Sequence, residues 1–196
     1  MTASALEPGY FDRLYADNPD PWRFESSEYE HAKYAATIAT LPRVGYLSAI
    51  EIGCSIGVLT ERMAPRCRNL LAVDVAEAPL IRAAARCQHL PQVHFERMTL
   101  PGTRPPGQFD LIVLSEVLYY FDDADLTAMA NLVASIAAAA ADILLVHWLG
   151  PTPDYPVTGD AAVTIFERRL GSRAAVLKRE RQADYRLDLL RRRDIG

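Results

Sequence analysis

Residues 46–57 read YLSAIEIGCSIG: an apolar run, then an acidic residue, Glu51, and glycines at 53 and 57 with Ser55 between them. An apolar run giving out into a glycine-rich loop is how a strand hands over to a helix where backbone must approach a ligand closely. Outward from this loop, the apolar patterning predicts strands over 46–52, 69–74, 92–97, 109–115 and 142–148, with helices over 57–66, 77–87 and 123–140 between them. The strands are nearly continuous apolar runs (Leu70-Leu71-Ala72-Val73, Leu111-Ile112-Val113-Leu114, Ile143-Leu144-Leu145-Val146). Strands covered by helices on both faces look like this, which predicts an α/β fold with a mostly parallel, Rossmann-like sheet. After a helix over 159–170, residues 174–192 read as two strands in succession, so the sheet of seven strands should carry a C-terminal antiparallel hairpin. Before the loop, a short helix over 6–17 is followed by the rigid turn Asn18-Pro19-Asp20-Pro21. Ser27 and Glu30 then form a capping box that opens a helix to about Leu41, stopped by Pro42.

With 196 residues, half of them hydrophobic, the chain suits one domain over 1–196, a helical lid region at 1–44 preceding an α/β core at 45–196. The net charge of −4 argues against nucleic acid as partner. Arg191-Arg192-Arg193, the one basic run, reads as a solvated strand end. No apolar run reaches the ~18 residues of a membrane span, and residues 1–15 lack the basic and apolar segments of a leader. Cys54, Cys67 and Cys87 form no CxxC pair, and His31, His89, His94 and His147 are scattered, so no metal site is expected. A reduced, cytoplasmic protein is the expectation; the oligomeric state is left open.

A dinucleotide fingerprint starting at Gly53 would need glycine at 58, where Val58 stands. That spacing disfavours a nicotinamide cofactor. It agrees instead with the E/D-x-G-x-G-x-G loop of S-adenosyl-L-methionine (SAM) methyltransferases, filled here by Glu51, Gly53, Ser55 and Gly57. SAM has no pyrophosphate, so the glycines serve close backbone approach and positive φ. Ser55 is expected to be tolerated at negative φ, with its hydroxyl able to reach the cofactor. Asp74, followed by Val75, ends the next strand, where a carboxylate can accept both ribose hydroxyls. In FERMTLPG, 95–102, the adenine is expected beside Arg97, Met98 and Thr99, with Met98 or Leu100 covering the ring. Lys33 is a candidate partner for the methionine carboxylate, its ordinary alternative being a solvated lysine.

A parallel sheet ending in an antiparallel hairpin is also the architecture of the class I methyltransferases. In that fold, the segment LSEVLYYF would put Ser115 at the cofactor, Glu116 beside it and Tyr119 and Tyr120 toward the acceptor, while His147, Trp148 and Asp160 reach the same rim. The N/D-P-P-Y/F signature of nucleobase and glutamine amino-methyltransferases is absent. DPWRFESSEYEHAKY, EIGCSIGVLTERMAPRC, SEVLYY and HWLGPTPDYPVTGD together resemble the rhizobial nodulation N-methyltransferases of the NodS family. The resemblance implies SAM-dependent methylation of the free amine of a deacetylated chitooligosaccharide in Nod factor synthesis, with S-adenosylhomocysteine (SAH) as product.

Methyl transfer is an in-line displacement in which alignment carries much of the rate, and the amine must be neutral. Glu116, His147 and Asp160 are the candidate proton acceptors; a satisfied strand-end imidazole and a helix-start charge are the alternatives for the last two. Trp22, Trp148, Tyr119, Tyr120 and Tyr155 offer surfaces for sugar stacking, and Tyr29 lies on the helix face bearing Lys33. The rivals are a methyltransferase of another small amine or hydroxyl, a SAM-binding protein without turnover, and, disfavoured by the glycine spacing, a NAD-dependent oxidoreductase.

Overall fold

Helix α1 runs Pro8–Asp17 with its proline in the first turn, where the missing N–H costs nothing. Helix α2, Glu28–Thr40, opens on Ser27, whose hydroxyl accepts the Glu30 amide at 3.3 Å. Strand β1 (Ala49–Ile52), helix α3 (Val58–Met63), strand β2 (Leu70–Asp74), helix α4 (Glu77–Arg86) and strand β3 (Val93–Arg97) follow. Next come β4 (Phe109–Ser115), α5 (Asp123–Ile136), β5 (Ala137–Trp148), α6 (Gly159–Leu170), β6 (Ala174–Arg181) and β7 (Tyr185–Arg192). This computed structural model describes residues 5–193; the first four residues of the segment read above for a leader lie outside them.

The seven strands take the order β3-β2-β1-β4-β5-β7-β6. The pairs β1/β2, β2/β3 and β4/β5 are parallel, and β7 is antiparallel to both β5 and β6. The expected mostly parallel sheet with a terminal antiparallel hairpin is therefore the observed fold. Two compact units compose it: Glu7–Thr99 forms one, and Leu6 with the chain from Leu100 onward forms the other. In the first, α1 and α2 belong with β1–β3 and pack on α4 and α3 respectively. In the second, α5 packs on α6 beside β5.

Most boundaries agree with the sequence reading to within two residues, and the larger differences have physical causes. The alanines at 137–141 continue β5 and not α5. Alanine is the best helix former, yet Ala137 is extended and paired with Phe109, and a register irregularity with Ala140 at φ +52° absorbs the misfit. Burial of Ala137 and Ala141 outweighs a propensity difference of a few tenths of a kcal/mol. β1 starts at Ala49, because Tyr46 makes only an isolated bridge to Cys67. α3 stops at Met63 and a 3₁₀ turn, Ala64–Arg66, takes over where Pro65 withdraws a backbone donor. Nor is the basic run merely solvated: Arg191 holds the fully buried Asp142 at 2.8 Å, and Arg192 donates to the Ala137 carbonyl.

Candidate active site

The loop after β1 turns through three left-handed positions, Gly53 (φ +80°), Ser55 (φ +49°) and Gly57 (φ +78°). The negative φ expected for Ser55 is corrected: serine adopts the conformation of the glycine whose place it takes. Its side chain meets Tyr15 of α1, the two hydroxyls lying 2.5 Å apart. Gly57 caps α3, and a Cβ there would lie 2.8 Å from the Cβ of Ala83, so glycine is demanded by space as well as by φ.

Below the loop, Glu51 is 1% exposed and accepts the Thr60 hydroxyl at 2.5 Å. Burial pushes its pKa up to about 8 although the Thr60 hydrogen bond opposes the shift, so the carboxyl is largely neutral near pH 7. Asp74 is half-buried at the end of β2, where Oδ2 accepts the Ser55 amide at 2.8 Å and Oδ1 the Ala76 amide at 3.0 Å. Burial raises its pKa, and those backbone donors pull the other way. The Val75 amide also faces this carboxylate and helps pull its pKa down. Of about four lone-pair positions, the three backbone donors leave room for a ribose hydroxyl. Val75 follows, its carbonyl accepting from Arg97, and the buried Met98 donates its amide to the Asp74 carbonyl with Thr99 next in line. Arg86 donates to the Ile56 carbonyl and further steadies the loop.

Lys33 is not a solvated lysine. It is 2% exposed, bonded to Glu30 at 3.0 Å, with its ammonium 5.1 Å from the centroid of the Tyr29 ring. Trp22 is half-buried, stacked on Phe24 at 5.4 Å and meeting Tyr15 edge-on at 5.8 Å. Tyr15 was not among the residues singled out from sequence. Its signal was the spacing of Phe11 and Tyr15, one helical turn apart on the buried face of α1.

In the second unit, β4 ends at the buried Ser115, and Glu116 follows at φ +56° with its amide bonded to the Val146 carbonyl. One carboxylate oxygen of Glu116, Oε2, accepts both the Tyr119 hydroxyl and the Trp148 amide, each at 2.8 Å. Tyr119 stacks on Tyr155 at 5.3 Å, and Tyr120 meets both rings edge-on. Burial first, and the negative charge of Glu116 second, raise the pKa of the Tyr119 phenol, so it stays protonated.

His147 is 0% exposed, and its Nε2 accepts the Leu118 amide at 3.1 Å and the Val117 amide at 3.4 Å. That pattern requires an unprotonated Nε2 and puts the proton of the neutral ring on Nδ1. Half-buried Trp148 is clasped by two glycines: a Cβ at Gly150 would strike its indole, and one at Gly159 would lie 2.0 Å from its carbonyl oxygen. Asp160, at the start of α6, is bonded to Arg181 at 2.7 Å and Arg186 at 2.8 Å. The hydrogen bond from Arg181, with help from Arg186, lowers its pKa and makes it a poor base. Among the described residues, no group of three or more His, Cys, Asp and Glu could hold a metal ion, and no helix is long and apolar enough to cross a membrane.

The strand order, the terminal hairpin and the glycine loop at the exit of β1 define the class I SAM methyltransferase fold. The chain belongs to the NodS family, whose model, described as Nodulation protein S, matches residues 12–146. Nodulation protein S of Bradyrhizobium diazoefficiens is 36% identical over 121 residues, covering 60% of this chain and 58% of that protein. The Sinorhizobium fredii protein of the same name is 32% identical over 121 residues, covering 60% of this chain and 56% of its own length. The chain thus spans a little over half the length of these curated relatives. The crystal structure of N-methyltransferase NodS from Bradyrhizobium japonicum WM9 in complex with SAH superposes with a TM-score of 0.83 at 21% identity, covering 96% of this chain and 100% of that one. A stretch of 79 residues, 38% of this chain and 33% of the relative, is 37% identical to a ubiquinone biosynthesis O-methyltransferase of Pseudomonas aeruginosa.

Proposed function

We propose that the chain is a SAM-dependent N-methyltransferase whose acceptor is a primary amine on an amino-sugar oligomer, a deacetylated chitooligosaccharide of the kind used in Nod factor synthesis. Membership of the NodS family over residues 12–146 is the observation that carries this reading. The positive-φ loop and the Asp74 carboxylate that the loop hangs on support SAM as the cofactor.

When bound, SAM supplies an electrophilic methyl group on its sulfonium. Gly53 and Gly57 would admit the aminoacyl portion against bare backbone, Asp74 would hold the ribose, and Met98 and Thr99 would border the adenine. Lys33 is proposed for the methionine carboxylate and Ser115 for the cofactor's reactive end. Of the three acidic or imidazole candidates, Glu116 is the one we assign to the amine. Its carboxylate is oriented by Tyr119 and the Trp148 amide, and it can attract the ammonium and take its proton. His147 spends Nε2 on the turn that carries Glu116, and Asp160 is neutralised by two guanidinium groups. Trp148, Tyr119 and Tyr120, with Trp22 and Tyr29 from the first unit, are the aromatic candidates for sugar contact. The whole chain, helices α1 and α2 included, is taken as one functional methyltransferase domain.

The test is transfer of a labelled methyl group from SAM to glucosamine oligomers and to their fully N-acetylated counterparts. Methylation of the deacetylated oligomers alone is expected, because an amide nitrogen is a poor nucleophile. Equal methylation of both would overturn the amine assignment. The short match to an O-methyltransferase makes a hydroxyl acceptor the second reading, and a product whose label survives only as an O-methyl ether would favour it.

A further inference from the structure

Ser55 presents a problem in its own terms. An L-residue in the left-handed region brings its Cβ too close to the following carbonyl oxygen, a strain that glycine escapes. The chain nevertheless keeps serine at φ +49°, between two glycines that adopt the same sign of φ. Whatever serine adds must lie in its side chain, and that side chain is bonded to the phenol of Tyr15.

We infer that Tyr15 is a positioning residue for the cofactor loop, its hydroxyl latching α1 onto that loop through Ser55. The inference rests on the reading of the loop as a SAM site. Tyr15 is 6% exposed and keeps its proton at working pH, because burial, and then the nearby Asp74 charge, raise its pKa. Its ring is braced edge-on by Trp22. From Ser55 the connection continues without a gap: the Ser55 amide reaches one oxygen of Asp74, and the other oxygen takes the Ala76 amide next to the start of α4. The last turn of α1, the loop, the end of β2 and the beginning of α4 are thus joined by consecutive hydrogen bonds. The turn that follows α1 is held to the same helix, with Arg82 donating to the Pro19 carbonyl and both Arg82 and Arg86 paired with Glu25. Removing the Tyr15 hydroxyl should release the loop and the end of α1 together, and with them the proposed ribose carboxylate.

Four proteins test this: the parent, Tyr15→Phe, Ser55→Gly and the double variant. SAH affinity is read by calorimetry and the protection of residues 8–17 by amide hydrogen exchange. Tyr15→Phe keeps the ring, and should weaken SAH binding about fivefold, the worth of one neutral hydrogen bond. Ser55→Gly should weaken or barely change binding with Tyr15 present, because hydroxyl loss and relief of the positive φ oppose each other. In the Tyr15→Phe background only the relief remains, so the same glycine should leave binding unchanged or tighten it. A glycine effect identical in both backgrounds, with exchange over 8–17 unaltered by either single change, overturns the latch. If the parent fails to bind SAH, the cofactor reading falls. The latch is then decided by exchange in the ligand-free proteins, where faster exchange over 8–17 in both single variants supports it and parental rates reject it.

Discussion

The amide of Ser55 donates to Oδ2 of Asp74 at 2.8 Å, so the loop leaving the first strand hangs on the carboxylate that ends the second. The two motifs that sequence spacing suggests as a cofactor site are one hydrogen-bonded object. The same carboxylate takes the amide at the start of α4, which fixes its plane before any ligand arrives.

Replacing Asp74 by alanine should therefore do two things at once. It removes the acceptor proposed for the ribose, worth about 1.5–3 kcal/mol for hydrogen bonds to a charged group, and it unties the loop. SAH affinity should fall roughly 10- to 150-fold by calorimetry. A loss of less than threefold would show that the carboxylate serves the loop alone.

Gly57→Ala should destabilise the fold by about 2–4 kcal/mol, from a positive φ and an overpacked contact with Ala83. Urea unfolding measures it. Ala83→Gly in the same protein should recover part of the loss, because it removes the Cβ that stands 2.8 Å from the new one but leaves the φ strain. An absence of any recovery would place the whole cost in the backbone.

Glu51 carries a pH prediction. Its folded pKa of about 8 lies above its ordinary value of 4.5. Burial of the neutral acid therefore contributes fully below the unfolded value and is lost as pH rises through 8. Glu51→Gln cannot ionise and keeps an oxygen for the Thr60 hydroxyl. Its melting temperature relative to the parent should climb from pH 5 to pH 8 and level off above that. A flat difference across this range would mean that Glu51 is ionised in the folded protein.

Glu116→Gln tests the proposed base. Loss of general-base assistance should lower the methylation rate by about 10²- to 10⁴-fold, with SAH affinity within twofold of the parent. The parent's rate should also rise with pH as the acceptor ammonium loses its proton. Asp160→Asn, by contrast, should leave the rate nearly unchanged, because its carboxylate already serves Arg181 and Arg186. A collapse of activity in Asp160→Asn with Glu116→Gln intact would exchange their roles.

What the sequence determined by itself was set by local chemistry. Alternating apolar runs specified the α/β order, successive strands without a helix between them specified the terminal hairpin, and Ser27 and Pro42 bracketed α2. Helix α6 was readable to its boundaries, Gly159–Leu170, because Thr158 caps it and Gly171 ends it. The glycine spacing and Asp74 were likewise visible as a pattern. Tertiary structure decided everything that depends on a distant partner. The alanines at 137–141 became strand because Phe109 pairs with Ala137 and the chain then runs through a register irregularity to Asp142, paired with Leu111. Lys33 is buried by the packing around α2, even though the groups it meets there, Glu30 and the Tyr29 ring, lie one turn away on the same helix. His147 turned inward to hold the Val117 and Leu118 amides, and Asp160 was drawn to arginines on the terminal hairpin. The sign of φ at Ser55 is the sharpest case. Serine alone prefers negative φ, and only a tyrosine 40 residues earlier in the chain, together with the Asp74 carboxylate, supplies bonds that hold it on the other side.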